Sequence, residues 1–495
     1  MLIRRHGRLG HPGRVLRKLL ALAVTAAIGG AAAAFAGTSS SAAAKLGGDW
    51  TRFGYDAARS SSGPVQTGIT AANLNALRLQ RVRLDGTVDS SPIYARAVKV
   101  AGKVRDVFVV TTSYGKTEAI DASTGRVVWR FTPSGYAGWA GSDRITNSTP
   151  IFSTDRKYVF AAAPNGKLYK LRLSTGANAG GRWPVTITRD PTHEKIAPAL
   201  NLSRGLLLAG TGGYFGDAPP YQGHVVAVEA ASGRIVHVWN SLCSDRAGVI
   251  RPSSCPESDS AIWARAGVVV EPDGNLLVAT GNGKWDGKTY WGDSVLELSP
   301  DAGKLLQNWT PADQAGLNSG DVDLGSTAPA LLGNGLAVQG GKPGKLDLLD
   351  LEKLNGKGGA GHTTGGELQT LSTPSGSPMF TAPAVWNSAG TTWLFVADGS
   401  ATAAYRLEGR KLAEAWNVTP GGTSPVVAGG LLYDFDASSA LRVYAPKTGK
   451  LLATLAAGQG HWNSPIVTDG RIALPVGDAN GHRLSGTLDI WRLAA

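Results

Sequence analysis

The sequence predicts an all-β protein, a single β-propeller of about eight four-stranded blades. Three observations favour this fold. The apolar residues fall in short runs separated by Gly, Pro, Asn and Asp, a small residue followed by Pro recurs along the chain, and a turn followed by Trp closes most repeats. Gly accounts for 66 of the 495 residues, and no long amphipathic pattern indicates a helix.

The N-terminal segment has the composition of a secretory leader. Six basic residues between Arg4 and Lys18 precede an apolar run from Leu19 to Phe35, which ends in an A-x-A cleavage pattern at Ala34-Phe35-Ala36. A membrane anchor is the alternative, but the run is rich in Ala and Gly and short for a bilayer. We therefore expect a signal peptide over residues 1–36, a Ser/Ala-rich linker over 37–48 and the propeller over 49–495.

Export and charge limit the partners of the mature chain. We expect an extracellular, cell-wall-associated or periplasmic protein with no transmembrane span once the leader is removed. The leader carries six of the twelve net positive charges, and the rest of the chain has no Lys/Arg blocks interleaved with aromatic residues. A nucleic-acid partner is therefore not expected.

Each predicted blade opens with a small residue and Pro before a short apolar strand. The spacing of about 40 to 65 residues is the period of propeller blades. One further repeat lacks Pro, but its segment Ser260 to Ala264 falls where the spacing predicts the start of a blade. The pairs are Ser91-Pro92, Thr149-Pro150, Ala197-Pro198, Ala328-Pro329, Ala382-Pro383, Ser424-Pro425 and Ser464-Pro465.

Each repeat closes with an apolar strand, a polar turn with Gly and a strand that carries Trp. The clearest copy runs from Ala119 to Trp129, and degenerate copies end in Trp183, Trp239, Trp309 and Trp416. We interpret these indoles as packing between blades and not as ligand contacts, because radial sheets leave a gap that a large apolar ring fills. At the ends of the chain, we expect Leu79 to Leu84 to supply an outer strand that closes the ring.

The two cysteines, Cys243 and Cys255, lie close together in a polar stretch between two strand groups. In an oxidising compartment they are expected to form a disulfide that fastens this loop. Two free thiols are the alternative, although no neighbouring residue suggests thiolate chemistry or a metal site.

The repeat from Ala119 to Trp129, the Asp49-Trp50 opening and the Asn73-Leu74 run resemble those of the pyrroloquinoline quinone (PQQ) dehydrogenase superfamily. The resemblance covers about residues 49 to 495. It implies an eight-bladed propeller. It does not decide whether the protein is catalytic, because cofactor-free relatives such as an outer-membrane assembly lipoprotein contain the same repeat pattern.

The resemblance also implies a set of site residues. Trp263 matches the Trp that forms the floor beneath PQQ, and Asn282 in Thr280-Gly281-Asn282 matches a calcium ligand. Asp323 matches the general base and metal neighbour, with Asp321 as a second carboxylate nearby. Lys342 matches the cation that polarises the quinone carbonyl.

Each candidate residue also has a structural interpretation. Trp263 could be a core indole, Asn282-Gly283 a hairpin turn, Asp323 a turn cap and Lys342 a solvated hairpin residue. The order of the four residues across successive blades favours a common site.

Three features of the chain depart from the family pattern. The calcium-binding Glu is missing near Gly212-Gly213, where the first carboxylate is Asp217. The adjacent-cysteine ring is absent, and Asn147, with Arg144 nearby, stands where an Arg is expected.

Two functions of different class remain. The first is a quinoprotein that oxidises an alcohol, sugar or polymer hydroxyl and passes electrons to a separate acceptor, since no haem-binding Cys-x-x-Cys-His is present. The second is a non-catalytic propeller whose aromatic loops, Trp285 to Trp291 and Tyr214 to Tyr221, bind a wall polymer or a protein partner. No nucleophile elbow, phosphate loop or spaced His cluster favours another chemistry.

Overall fold

A computed structural model describes residues 47–493, and the predicted signal peptide and most of the linker lie outside them. Within the described residues, eight four-stranded antiparallel sheets form the blades of a propeller, as predicted. Strand β1 (Leu77–Leu84) comes before the first blade. The first blade contains β2 (Ile93–Val100), β3 (Lys103–Thr111), β4 (Thr117–Asp121) and β5 (Val127–Phe131), and the second contains β6 (Ile151–Phe152), β7 (Tyr158–Ala163), β8 (Lys167–Arg172) and β9 (Val185–Thr186). The third blade contains β11 (Asn201–Ser203), β12 (Leu206–Gly210), β14 (His224–Glu229) and β15 (Ile235–Asn240). The fourth blade contains β16 (Val269–Val270), β17 (Leu276–Ala279), β18 (Val295–Leu298) and β19 (Leu305–Trp309).

The third blade has a short additional ribbon, in which β10 (Glu194–Lys195) pairs with β13 (Gly212–Gly213). The fifth blade contains β20 (Ala330–Gly333), β21 (Leu336–Gln339), β22 (Lys345–Asp350) and β23 (Gln369–Ser372), and the sixth contains β24 (Ala384–Ser388), β25 (Thr391–Ala397), β26 (Thr402–Glu408) and β27 (Lys411–Val418). The seventh blade contains β28 (Val426–Ala428), β29 (Leu431–Phe435), β30 (Ala440–Tyr444) and β31 (Leu451–Ala456). The eighth blade contains β32 (Ile466–Thr468), β33 (Arg471–Val476) and β34 (Gly486–Leu493) together with β1.

Little of the described chain is helical. A single α-helix, α1 (Gln314–Ser319), lies between the fourth and fifth blades. Short 3-10 turns occur at Leu74–Ala76, Tyr136–Gly138, Pro252–Ser254, Leu324–Ser326 and Ala479–Gly481. Within residues 47–493, no helix is both long and apolar enough to span a membrane.

The repeated small-residue–Pro pairs lie at or just before the first strand of seven of the eight described blades, and the fourth blade has no such pair. Pro92 directly precedes β2, Pro150 precedes β6 and Pro465 precedes β32. Proline suits this position because it keeps the residue before it extended and needs no ladder hydrogen bond. The local chemistry of the pair therefore sets the start of these blades.

The Trp residues that close the repeats pack against the next blade. On β5 the Trp129 indole donates a 2.8 Å hydrogen bond to the Leu173 carbonyl beyond β8, and its ring lies over Gly176. On β27 the Trp416 indole bonds the Pro446 carbonyl of the seventh blade at 2.8 Å and lies over Gly449. These contacts confirm the interpretation of the indoles as packing between neighbouring blades.

The ring is closed by the segment that the sequence predicts. Strand β1 pairs with β34 as the outermost strand of the last blade, with Val82 opposite Leu488. The observed strand begins at Leu77, two residues before the predicted start at Leu79. Pairing the two ends of the described chain completes the last blade with its fourth strand.

The cysteines form the predicted disulfide. Cys243 and Cys255 are bonded in the loop between β15 and β16, with Cα atoms 6.2 Å apart. The bridge packs with Leu242, Ile250 and Tyr290 in a small apolar cluster. It therefore fastens a long connection that precedes the fourth blade.

Candidate active site

The four residues predicted from the resemblance come from four separate segments of the fourth and fifth blades. Trp263 lies in the connection before β16, and Asn282 follows the end of β17. Asp323 immediately precedes the turn Leu324–Ser326, and Lys342 lies between β21 and β22. The structure brings all four together around the carboxylate of Asp323.

Three donors meet at that carboxylate. The Asn282 backbone N–H lies 3.0 Å from Asp323 Oδ1, and the Trp263 indole N–H lies 3.4 Å from the same atom. The Lys342 ammonium forms an ion pair with Asp323 Oδ2 and lies 3.3 Å from Asp321 Oδ1. Asp323 is buried, whereas Trp263, Asn282 and Lys342 are half-buried.

The contacts of these residues agree less well with purely structural roles as turn cap, hairpin turn or solvated side chain. The Asp323 side chain makes no capping bond to the turn that follows it. Asn282 does not lie in a two-residue hairpin, because β17 ends at Ala279 and β18 begins at Val295. The Lys342 side chain is only 21% exposed and faces carboxylates. The four residues therefore form a polar cluster, and the Trp263 ring lies along one side of it.

The close approach at Asp323 depends on a glycine. A Cβ atom at Gly281 would lie 2.1 Å from Asp323 Oδ1 and 3.3 Å from the Trp263 indole nitrogen. Any side chain at this position would therefore displace the carboxylate. The Thr280-Gly281-Asn282 sequence leaves space for the carboxylate and places the Asn282 N–H against it.

The electrostatics keep the lysine charged. Burial acts to lower the pKa of Lys342, but attraction to Asp323 outweighs it and raises the pKa above its ordinary value. Behind the pair, the buried Asp293 accepts the Leu324 N–H at 3.1 Å, and burial together with repulsion from Asp323 raises its pKa to about 8. Burial therefore favours the protonated form of Asp293, which holds the turn that presents Asp323.

A second group of residues, which the sequence analysis missed, faces the first. The Trp263 ring lies 5.9 Å from Trp462 and 6.4 Å from Phe380, and these two rings stack on each other with centroids 5.4 Å apart. Phe380 precedes the sixth blade and Trp462 precedes the eighth. Blades that are not neighbours can meet only at the axis of the ring, so the site is axial.

Charged residues from opposite sides of the ring also meet at the axis. The Asp89 carboxylate, just before the first blade, contacts Arg265 at 3.2 Å and His461 Nδ1 at 2.8 Å. Burial acts to raise the pKa of Asp89, but Arg265 and His461 outweigh it and lower the pKa far below its usual range. The Arg265 guanidinium lies 4.6 Å from the Trp462 ring centroid. This network links the first, fourth and eighth blades.

The residues that depart from the family pattern lie in different surroundings. Asn147 donates to Asp89 at 3.3 Å, whereas the Arg144 guanidinium bonds the carbonyls of Pro191 and Pro164, both at 3.2 Å. Besides Lys342, the cations near Asp89 are Arg265 and Lys195, and burial with repulsion from Arg265 lowers the pKa of Lys195 to about 8. Arg265 and Lys195 therefore supply positive charge that Asn147 lacks.

PQQ is a flat quinone with three carboxylates, and this group of residues fits it. Trp263 offers an aromatic face, and Lys342, Arg265 and Lys195 offer cationic donors on the same axis. The Lys342 ammonium lies 6.0 Å from the Trp263 ring centroid. The residues could thus hold a planar anion against an indole with a cation at its edge.

Calcium fits the residues less well. Calcium takes several oxygen ligands, but the Asp323 oxygens already accept from Asn282, Trp263 and Lys342. Asp217 is exposed and accepts the Tyr221 hydroxyl at 2.9 Å. Among residues 47–493, the group of His, Asp and Glu ligand atoms close enough to share an ion is Asp89, His461 and Asp478.

Comparison with known proteins confirms the resemblance. Residues 79–253 match the family model described as outer membrane protein assembly factor BamB. Quinohemoprotein alcohol dehydrogenase ADH IIB of Pseudomonas putida is 25% identical over 303 residues, which cover 54% of this chain and 41% of that protein. The dehydrogenase subunit of an alcohol dehydrogenase (quinone) from Gluconobacter oxydans is 23% identical over 396 residues, covering 70% of this chain and 49% of its own length.

The structural comparison shows the same fold. Quinohemoprotein alcohol dehydrogenase ADHIIG from Pseudomonas putida matches with a TM-score of 0.68 and 16% identity, covering 90% of this chain and 80% of that one. This chain spans less than half the length of the two curated relatives. The chain is thus an eight-bladed β-propeller, and its repeats and fold are similar to those of the PQQ dehydrogenases.

Proposed function

We propose that this chain is an exported quinoprotein that oxidises hydroxyl groups at the axial site. The observation that carries the proposal is the convergence of Trp263, Asp323 and Lys342, from separate segments, into one group beside further cations. The alcohol dehydrogenases among its relatives support the reaction class. PQQ, when bound, would accept the two electrons of the oxidation.

The chain's own residues would bind and orient the reactants. Trp263 would provide the stacking surface, and Arg265 and Lys195 would supply positive charge for carboxylates. The Lys342 ammonium would supply the cation that polarises a quinone carbonyl. Asp323, held by the Asn282 N–H, accepts the hydroxyl proton at its carboxylate.

Asp323 and Lys342 act as a pair in this scheme. The ammonium forms an ion pair with the buried carboxylate, whose oxygens are the proton acceptor in this scheme. Asp293 holds the turn that follows Asp323 and thereby limits its movement. Electrons leave to a separate acceptor, since the sequence has no haem-binding motif. The disulfide Cys243–Cys255 agrees with an oxidising compartment.

An activity assay with matched variants tests the proposal. Purified chain is incubated with PQQ, and reduction of an artificial electron-accepting dye is followed with primary alcohols, sugars and polyvinyl alcohol. We expect PQQ-dependent reduction that Asp323→Asn lowers by at least about a hundredfold, as for loss of a general base. Asp301→Asn, at a half-exposed carboxylate paired with His237, is the control. No PQQ-dependent reduction with any hydroxyl donor would contradict the proposal.

A further inference from the structure

A buried histidine in the third blade has no role in the proposed reaction. His224 is the first residue of β14, and its ring nitrogens contact Asn240 on β15 and Glu194 on β10. All three side chains are fully buried. Polar groups at this depth cost free energy unless they are hydrogen-bonded. The partners of the ring therefore decide where its protons lie.

Each nitrogen of the His224 ring faces an acceptor. Its Nδ1 lies 2.6 Å from Asn240 Oδ1, and the Asn240 amide nitrogen already donates to the carbonyls of Arg246, at 2.8 Å, and Gly248, at 3.4 Å. Nδ1 therefore donates to Asn240. On the other side, Nε2 lies 3.1 Å from Glu194 Oε1. One further proton lies between these two atoms, because two unprotonated acceptors repel each other at this distance.

That further proton belongs to the imidazole. An imidazole is a stronger base than a carboxylate, and Glu194 accepts two more donors, the Gln222 N–H at 3.0 Å and the Thr188 hydroxyl, which favour its charged form. Burial acts to lower the pKa of His224, but Glu194 outweighs it and raises the pKa above its ordinary value. Within residues 47–493, Glu194 is the titratable group that faces the ring. The pair is therefore a buried imidazolium and carboxylate.

Glu194 belongs to the short ribbon that lies beside the axial site. It pairs with Gly213, and the next residue, Lys195, pairs with Gly212. Side chains alternate along a strand, so Glu194 is directed into the blade and Lys195 to the other side, toward the axial cations. The ribbon also packs against the aromatic face of the site, since a Cβ at Gly212 would lie 3.3 Å from the Trp263 Cβ. Movement of Glu194 would therefore displace Lys195 and loosen the packing of Trp263.

We propose that His224 is a positioning residue, whose protonated ring holds Glu194 and thereby the ribbon that places Lys195 and supports Trp263, so that the axial site binds its ligand best while His224 is charged. Loss of the proton leaves Nε2 and the Glu194 carboxylate as two acceptors 3.1 Å apart, and the ribbon then moves. The effect at the axis rests on the proposed function, because its ligand is the proposed quinone. The charged pair itself does not depend on that function.

The direction of the shift gives the pH range. Because the folded protein holds the His224 proton more tightly than the unfolded chain does, the pair contributes fully below pH 6.5, the ordinary pKa of the ring. Its contribution is lost as the pH rises through the raised value. The ribbon is therefore held in acid and neutral solution and is released in alkaline solution.

Nitrogen NMR of the mature chain, labelled at histidine, tests the protonation directly. Ring ¹⁵N shifts are followed across the pH range, and the signals of His224 are identified by their absence from the His224→Gln spectrum. We expect two protonated ring nitrogens at neutral pH and a single titration with a midpoint above 6.5. A neutral His224 ring at pH 7 overturns the inference.

Hydrogen exchange tests the positioning of the ribbon without PQQ. Amide exchange in peptides containing β10 and β13 is compared at each pH for the wild type, His224→Gln and His237→Gln. The variant His224→Gln keeps a donor but cannot carry the charge. The control removes the same kind of pair, His237–Asp301 at 3.1 Å, where the histidine side chain is 49% exposed.

Below pH 6.5 we expect the ribbon of His224→Gln to exchange about tenfold faster than that of the wild type, the effect of losing one charge-assisted hydrogen bond. The difference should shrink as NMR shows His224 losing its proton, and His237→Gln should match the wild type. Equal exchange in the wild type and His224→Gln overturns the inference.

The effect at the axis is measured by titration with PQQ. Because Lys195 has a lowered pKa of about 8 and titrates as well, variants are compared at the same pH. We expect His224→Gln to weaken PQQ binding by about tenfold at pH 6, and by clearly less when Lys195→Met is already present, since residues that act together are not additive. Equal weakening in both backgrounds overturns the assignment of Lys195 as a residue that His224 positions.

The two proposals can fail separately. A charged His224 and faster ribbon exchange in His224→Gln, without PQQ binding to the wild type, uphold the positioning of the ribbon and contradict the quinoprotein. PQQ binding that is equally tight in the wild type and His224→Gln overturns the inference and leaves the quinoprotein standing. Near-ultraviolet circular dichroism identifies an unfolded His224→Gln protein, in which case His224→Asn takes its place with the same expected results.

Discussion

The ammonium of Lys342 and the carboxylate of Asp323 form an ion pair at the axis of the propeller, between two segments of the fifth blade. Asp323 is buried, so the pair is screened from water much less than a surface pair is. The backbone N–H of Lys342 also donates to the Asp323 carbonyl at 3.0 Å, which fixes the two segments relative to each other.

A double-mutant cycle measures this pair. For Lys342→Met and Asp323→Asn, we expect a coupling of about 1–3 kcal/mol in the free energy of unfolding, from urea titrations of the wild type, both single variants and the double variant. The exposed pair Lys345–Asp313, at 2.9 Å, is the control and should give at most about 1 kcal/mol. A coupling no larger than the control would mean that the axial pair is effectively solvated.

The substitution Gly281→Ala is expected to disrupt the site sterically. The added Cβ would lie 2.1 Å from Asp323 Oδ1, so the carboxylate must move. We expect a loss of about 1–3 kcal/mol in the free energy of unfolding and of most PQQ-dependent dye reduction. Gly361→Ala is the control, because no heavy atom lies within 4 Å of its added Cβ. Equal behaviour of the two variants would contradict the described packing.

The packing of Trp129 on the neighbouring blade is tested by a matched pair of glycines. Gly176 (φ +74°) and Gly180 (φ +79°) share a left-handed backbone, so alanine strains both. Only at Gly176 does the added Cβ meet Trp129, at 2.6 Å. Chemical denaturation should therefore show Gly176→Ala to be less stable than Gly180→Ala by about 1–3 kcal/mol. Equal losses would argue against the contact between blades.

A buried carboxyl group predicts a pH dependence of stability. Burial raises the pKa of Asp434 to about 7, although the Thr402 hydroxyl donates to its carboxylate at 2.6 Å. The folded protein thus holds this proton more tightly than the unfolded chain. The contribution of Asp434 is fully present below pH 3.8, its ordinary pKa, and is lost as the pH rises to about 7.

The comparison with Asp434→Asn isolates that contribution from other carboxylates. The free energy of unfolding of the wild type, minus that of the variant, should fall by up to about 1.4 kcal/mol per pH unit between pH 4 and 7 and then level off. Denaturation at a series of pH values measures the difference. A difference independent of pH would show that Asp434 titrates normally.

The sequence predicted the features that depend on local chemistry. The small-residue–Pro pairs, the Gly turns and the closing Trp residues each work within one blade or between neighbours, so their positions follow from the pattern. The four candidate site residues were found because each lies in a short recognisable sequence motif, such as Thr280-Gly281-Asn282. The structure confirms that they meet, and their roles remain predictions.

The sequence analysis missed the other residues at the axis, because distant parts of the chain bring them together only when the ring of blades closes. Asp89 and Arg265 are separated by 176 residues, and Trp462 lies near the end of the chain. A usable signal was nevertheless present. Asp89, Asn147, Lys195, Phe380 and Trp462 each lie shortly before a small-residue–Pro pair, where the chain reaches the axis before every blade.

Titration with PQQ tests the central claim most directly. Tryptophan fluorescence of the mature protein is followed with and without calcium for the wild type, Trp263→Ala, Lys342→Ala and the control Lys345→Ala. We predict saturable quenching in the wild type and the control, and its loss in Trp263→Ala and Lys342→Ala. No saturable quenching in the wild type, or quenching that both axial variants retain, would contradict a quinone site at the axis.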